Sequence, residues 1–228
     1  MALREIGRAK LNLTLEVLGR RADGYHELRS LVAFAGLGDE IALEPGPALD
    51  LETQGPFARA LSGDNLVIRA AEAASASARG IKLGRFRLTK QLPVAAGLGG
   101  GSADAAAALR LITRANQGAL GGAAMAAIAA RLGSDVTVCL ASRPALMTGR
   151  GETVEPMRGF PACGVLLANP GVPLSAEAVY AELRADDLRA PALSGEGTPD
   201  FHGDFEQLLA YALPRLNDLE APAARLVP

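Results

Sequence analysis

Residues 93–109 read PVAAGLGGGSADAAAAL, with glycine at 97, 99, 100 and 101, then Ser102 and a run of alanines. Glycine loses more conformational freedom on folding than any other residue, so such a cluster marks backbone that must take φ > 0 or approach something closely. Alanine is the best helix former. A glycine loop running into a helix start leaves backbone N–H groups without intrahelical acceptors, at the positive end of the helix dipole. That combination suits an anion. A Walker A loop would end in Gly-Lys-Ser/Thr so that the lysine reaches the phosphates, whereas Gly101 runs directly into Ser102. A dinucleotide fingerprint would need glycine where Ser102 stands and an acidic residue about 20 positions on. Two readings remain open from these residues alone: a nest of N–H groups from Gly97 to Ser102 that holds an anion, or a tight structural turn before a closely packed helix.

The flanking sequence delivers the chain to this loop. GRFRLTKQL (84–92) alternates polar and apolar residues, the period of a half-buried strand, and AKLNLTLEV (9–17) does the same. Asp23-Gly24 marks a turn, and LRSLVAFAGLGDEIAL (28–43) reads as one or two strands broken at Gly36–Asp39. Asp64 or Asn65 caps a helix through ASASA, and the loop opens a helix from Ser102 to about Thr113, with Asp104 as its cap. A further helix spans about Gly122–Leu132, and SDVTVCLA (134–141) reads as a buried strand. CGVLLANPG (163–171) reads as the first strand of a new unit, followed by a helix from about Ser175 to Arg184. Residues 190–204, rich in Gly, Pro and Asp, read as an exposed loop, and the last stretch is helical until its prolines. The mixture of strand meanders and helices points to an α+β fold.

The chain has 228 residues, 49% of them hydrophobic and 21% charged, as in an ordinary globular protein with a sizeable core. A net charge of −2 gives no global attraction to nucleic acid or to anionic membranes. Cys139 and Cys163 lie in apolar surroundings and form no metal or redox pattern, so both are expected as buried free thiols in a reducing compartment. No apolar run reaches the roughly 18–20 residues of a membrane helix, and the charged N-terminus is not a signal peptide. The expectation is a cytoplasmic protein without nucleic-acid or membrane partners, monomeric or a weak homodimer.

The stretch from Pro93 to Ala106 resembles the phosphate loop of the GHMP kinases, P-x-x-x-G-L-G-S/G-S/G-S/A. LGSDVTVCL (132–140) is similar to a second segment of that family, which carries an essential aspartate. AKLNLTLEVLGRRADGYHEL (9–28) resembles a segment peculiar to the branch that phosphorylates 4-diphosphocytidyl-2-C-methyl-D-erythritol. The resemblance implies an α+β two-domain fold, with a ribosomal-protein-S5-like N-terminal domain (1–154) and a ferredoxin-like C-terminal domain (155–228). It implies ATP as phosphoryl donor, bound by Pro93, Ala95, Ala96, Gly97, Leu98, Gly99, Gly100, Gly101 and Ser102, with Mg²⁺ touching Ser102. Lys10 and Asp135 would be the catalytic pair. Asn12, Tyr25, His26 and Ser175 would hold the acceptor, Tyr25 stacking on its cytosine and His26 hydrogen-bonding to it. His202, in the acidic exposed loop, is given no role.

Two departures bear on activity. Thr137 stands where the family usually has proline, which would loosen the turn carrying Asp135. The family's third motif, a second glycine-rich segment resembling G-S-G-A-T, has no counterpart after Gly171, so the C-terminal domain is expected to be incomplete. The missing motif leaves room for a nucleotide binder without turnover; a GHMP kinase acting on another small alcohol is a second alternative, disfavoured because RADGYHEL (21–28) is not a general family motif.

Overall fold

A computed structural model describes residues 2–184 and 197–228. They divide into two compact units that interleave along the chain. The first takes the chain up to Lys10, Ala35–Val94 and Leu98–Ser142; the second takes Leu11–Phe34, Ala95–Gly97 and the described residues from Arg143 onward. Of the loop expected at 190–204, residues 190–196 lie outside the described residues.

The first unit is built on strands β1 (Leu3–Asn12), the later part of β3 (His26–Gly46), β4 (Asp50–Gln54) and β5 (Leu83–Thr89). β1 and β5 both pair with β3, and β4 runs parallel to β5. In the antiparallel β3–β5 pair Ile41 faces Leu88 and Leu43 faces Phe86, all four fully buried. Burying each such side chain contributes about 1.5–3 kcal/mol. A parallel pair needs a long crossover, and helix α1 (Leu66–Ser77) supplies it between β4 and β5. Asn65 caps α1, its side chain accepting from the Val67 N–H at 2.9 Å.

Helix α2 (Gly100–Ala115) begins two residues before the expected Ser102 and packs on both α1 and the helix at Ser134–Ala141. Ala103 and Ala105–Ala108 are all buried, so the alanine run lets neighbouring helices approach closely. Helix α3 (Gly122–Leu132) matches expectation; α4 (Ser134–Ala141) corrects it. The β-branched residues of SDVTVCLA suggest a strand, but packing against α2 and α3 overrides a propensity of a few tenths of a kcal/mol per residue. Thr137 therefore sits inside a helix rather than in a turn. The expected break at Gly36–Asp39 is absent too: β3 runs unbroken through it.

The second unit pairs β2 (Glu16–Arg20), the early part of β3, β6 (Ala145–Gly149) and β7 (Thr153–Pro156) in that order, all antiparallel. Leu31, Met157, Phe201 and Leu208 form its buried cluster, with Leu13, Phe160 and Tyr211 packed against them. Helices α5 (Ala176–Ala181), α6 (Phe205–Ala212) and α7 (Glu220–Leu226) follow. Asp204 caps α6, accepting from the Glu206 N–H at 2.8 Å. The strand expected at 163–171 does not form. Its residues carry no strand pairing, and Leu166 is 93% exposed. Cys163 is accordingly exposed rather than buried; Cys139 is buried as expected. Among the described residues no helix is long and apolar enough to cross a membrane.

Candidate active site

Lys10 comes from the end of β1, and its backbone N–H donates to the Leu98 carbonyl at 2.8 Å. That bond holds strand and glycine loop together at one point. Gly99, the residue before α2, takes φ 60° and ψ 21°, in the left-handed region that glycine enters without a Cβ penalty. A Cβ on Gly99 would lie 3.1 Å from the Lys10 Cβ, so the loop backbone lies directly on the lysine's stem. The expected helix cap does not exist: no side chain caps α2, whose first N–H groups follow a glycine.

Asp135 stands in the first turn of α4, where the helix dipole favours a negative charge. Its Oδ1 is 3.1 Å from Lys10 Nζ. The lysine side chain is 6% exposed and the aspartate 38%, so the ammonium is sunk while the carboxylate keeps a face toward solvent. Arg110 of α2 ties the two supporting elements. It donates to the Cys139 carbonyl at 2.9 Å and to the Leu140 carbonyl at 3.3 Å near the end of α4, and to the Ile6 carbonyl of β1 at 3.2 Å. A cation on a helix's last carbonyls is favourable. Cys139, on the same helix, is chemically quiet, because burial, aided by the charge of Asp135, pushes its thiol up to about 12.

Beneath the loop lies a group of charges that the sequence reading did not single out. Lys90 Nζ is 2.5 Å from Asp39 Oδ2 and 2.8 Å from Asp104 Oδ2, with all three side chains at most 3% exposed. Asp39 also accepts the Gln91 N–H at 2.6 Å and the Leu92 N–H at 2.8 Å through Oδ1. A Cβ on Gly100 would lie 3.0 Å from Lys90 Nζ. Asp104, expected as a cap, is thus a buried ion-pair partner instead. Burial pushes its carboxyl up to about 7 against the pull of Lys90, with the charge of Asp39 acting in the same direction as burial. Burial would lower Lys90, but the two aspartates outweigh it and hold the ammonium above its ordinary range. A signal was present: Gly84, Phe86 and Leu88 are the inward positions of β5, and Lys90 continues their parity just past the strand end. A lysine at an inward position demands buried carboxylates.

In the second unit Asn12 donates from Nδ2 to Ser30 Oγ at 2.7 Å, and Ser30 donates to the Thr14 carbonyl at 2.6 Å. Tyr25 is 56% exposed, its ring 5.0 Å beneath the Arg150 guanidinium. His26 opens β3 and stacks on Tyr180, with ring centroids 5.3 Å apart, a partner the sequence reading missed. Burial, then the charge of Arg20, hold His26 below the usual imidazole range, favouring the neutral ring. Ser175 caps α5, accepting from the Ala178 N–H at 3.2 Å. Ala95 takes φ 54°, unusual for a residue with a Cβ, and its carbonyl accepts the Leu174 N–H at 2.9 Å.

Known proteins similar to this chain point to its family. Residues 65–143 match the family model of the GHMP kinases N terminal domain. A 4-diphosphocytidyl-2-C-methyl-D-erythritol kinase from a Bradyrhizobium species is 45% identical over 99% of this chain and 77% of its own length. One from Parvibaculum lavamentivorans is 49% identical over 98% of this chain and 77% of its own. The crystal structure of a 4-(cytidine 5'-diphospho)-2C-methyl-D-erythritol kinase superposes with a TM-score of 0.69 at 34% identity, covering 99% of this chain and 79% of its own. A homoserine kinase from Cytophaga hutchinsonii shares the fold at 16% identity and a TM-score of 0.58. With relatives of this similarity and coverage, the chain belongs to the 4-diphosphocytidyl-2-C-methyl-D-erythritol kinase family of GHMP kinases.

Proposed function

We propose that the chain transfers the γ-phosphoryl group of ATP to the 2-hydroxyl of 4-diphosphocytidyl-2-C-methyl-D-erythritol. The observation that carries this reading is the Lys10–Asp135 pair, 3.1 Å apart, with its lysine packed on Gly99. The acceptor oxygen forms a bond to the γ-phosphorus as the bond to the β–γ bridging oxygen breaks, and ADP leaves. Asp135, the more exposed partner, orients the hydroxyl and takes its proton. Lys10 holds that carboxylate in place and offsets negative charge on the transferring group. Such transfer depends mainly on positioning and electrostatics, which a glycine nest, one ammonium and one carboxylate supply.

Pro93, Ala95 and Ala96 lead into the phosphate loop, and the backbone N–H groups of Gly97–Ser102, ending at the start of α2, hold the ATP phosphates. Asn12, Tyr25, His26 and Ser175 hold the acceptor. A neutral His26 offers one donor and one acceptor, which suits a cytosine edge. Among the described residues no cluster of three or more Asp, Glu, His or Cys is arranged for a metal. Mg²⁺ therefore fits as a companion of the nucleotide phosphates, with the Ser102 hydroxyl as the ligand this chain can add. The reading is tested by ATP-dependent phosphorylation of 4-diphosphocytidyl-methylerythritol, with Asp135→Asn as control. Turnover in the wild type that vanishes in a folded Asp135→Asn is expected; equal turnover in both would sink the assignment of Asp135.

A further inference from the structure

Asp39, Lys90 and Asp104 have no part in the chemistry just described, yet three charges are buried together within one unit. Such a group is a poor device for stability alone, since desolvation offsets most of the attraction and apolar residues of similar volume serve as well. What charges add is a fixed geometry. Here that geometry joins defined points of the chain: Lys90 and its neighbours Gln91 and Leu92 stand just before the glycine loop, and Asp104 stands in the helix just after it. Asp39 on β3 anchors the entry by accepting both N–H groups, and Gln54 adds its carbonyl to the Lys90 N–H at 2.7 Å. The lysine ammonium bridges entry and exit directly under Gly100.

We propose that Lys90, bridging Asp39 and Asp104, is a positioning residue that closes the base of the glycine loop and holds its N–H groups in the conformation that receives ATP phosphates. The proposal rests on the kinase reading for its ligand, but the loop geometry it describes is measurable without turnover. Lys90 reaches no phosphate in this scheme; it acts through the backbone from Pro93 to Ser102.

The discriminating variant is Asp104→Leu, which cuts the tie at the exit while leaving a neutral Lys90–Asp39 pair. Asp104→Asn, which keeps a carbonyl oxygen for Lys90, is the conservative rescue. Two readouts are taken on the intact chain: amide hydrogen exchange over residues 94–102, and KM for ATP and for the acceptor separately. Asp104→Leu is expected to speed exchange in the loop by about tenfold with β5 unchanged, and to raise KM for ATP by about tenfold with KM for the acceptor unmoved. Asp104→Asn is expected to return both toward wild type. Unchanged loop exchange and unchanged KM for ATP in a folded Asp104→Leu overturn the proposal, and so does a uniform rise in exchange across the unit. If Asp104→Leu does not fold, the triple change Lys90→Met, Asp39→Asn, Asp104→Leu removes the tie without leaving a buried charge, and is read the same way. A wild type that binds no ATP by calorimetry brings down the kinase reading instead, and the exchange arm then decides alone whether Lys90 holds the loop.

Discussion

The first unit contains two lysine–aspartate groups, and their settings separate two uses of the same chemistry. Lys10 and Asp135 are 3.1 Å apart, with the carboxylate 38% exposed. Lys90–Asp39–Asp104 is sealed, no member more than 3% exposed. A carboxylate that must meet a substrate hydroxyl keeps a face to solvent and gains little stability from its partner, because water screens the pair. A sealed group cannot meet a substrate at all, and losing one member strands the others in low dielectric. Exposure, more than residue type, tells the two apart.

Substitutions can break this contrast or sharpen it. The largest effect is expected at Asp135: Asp135→Asn lowers kcat by about a thousandfold, on the order of 4 kcal/mol in barrier, with a thermal midpoint close to wild type. Lys90→Met reverses the pattern. It leaves two buried carboxylates without a cation and costs about 3–5 kcal/mol in urea unfolding. Gly99→Ala has a smaller effect than either, since its new Cβ would sit 3.1 Å from Lys10 Cβ at a φ of 60°. A loss of about 1–2 kcal/mol, seen as lower stability or as a higher KM for ATP, is expected.

Asp104→Asn sharpens the contrast through pH. With its carboxyl raised to about 7 in the folded state from 3.8, Asp104 makes the native protein bind more protons than the unfolded chain between those values. Stability from this group is full below about pH 4 and is lost as pH rises through 7, so Asp104→Asn should flatten the stability profile over that range. An unchanged profile would mean that Asp104 titrates as an ordinary aspartate. The smallest effect belongs to a surface pair. Arg85–Asp50, 3.2 Å apart with side chains 60% and 58% exposed, should cost less than about 0.5 kcal/mol on Arg85→Ala.

Local chemistry made part of this legible beforehand. The glycine cluster, the alanine helix and the alternation of 84–92 carried their own signals, and the resemblance of three segments pointed to Lys10 and Asp135. What could not be read depended on tertiary packing. SDVTVCLA has strand-like side chains but lies against α2 and α3 as a helix. GVLLA looks like strand, yet a strand is defined by a partner, and no pairing forms there among the described residues. Asp104, three residues into a helix sequence, looked like a cap because capping is local, whereas its partner Lys90 lies fourteen residues earlier in the chain. Tyr180 could be matched to His26 only once β3 and α5 were placed.

The two thiols differ as sharply as the two lysines, and that gives the molecule a built-in reporter. Cys163 is exposed and open to alkylation, while Cys139 is buried in α4 with its thiol pushed up to about 12. Thiolate, not thiol, is the nucleophile, so a maleimide dye should mark Cys163 alone on the folded chain. A second label can then enter only when the helix that carries Asp135 opens, and its rate of entry clocks the breathing of the catalytic helix.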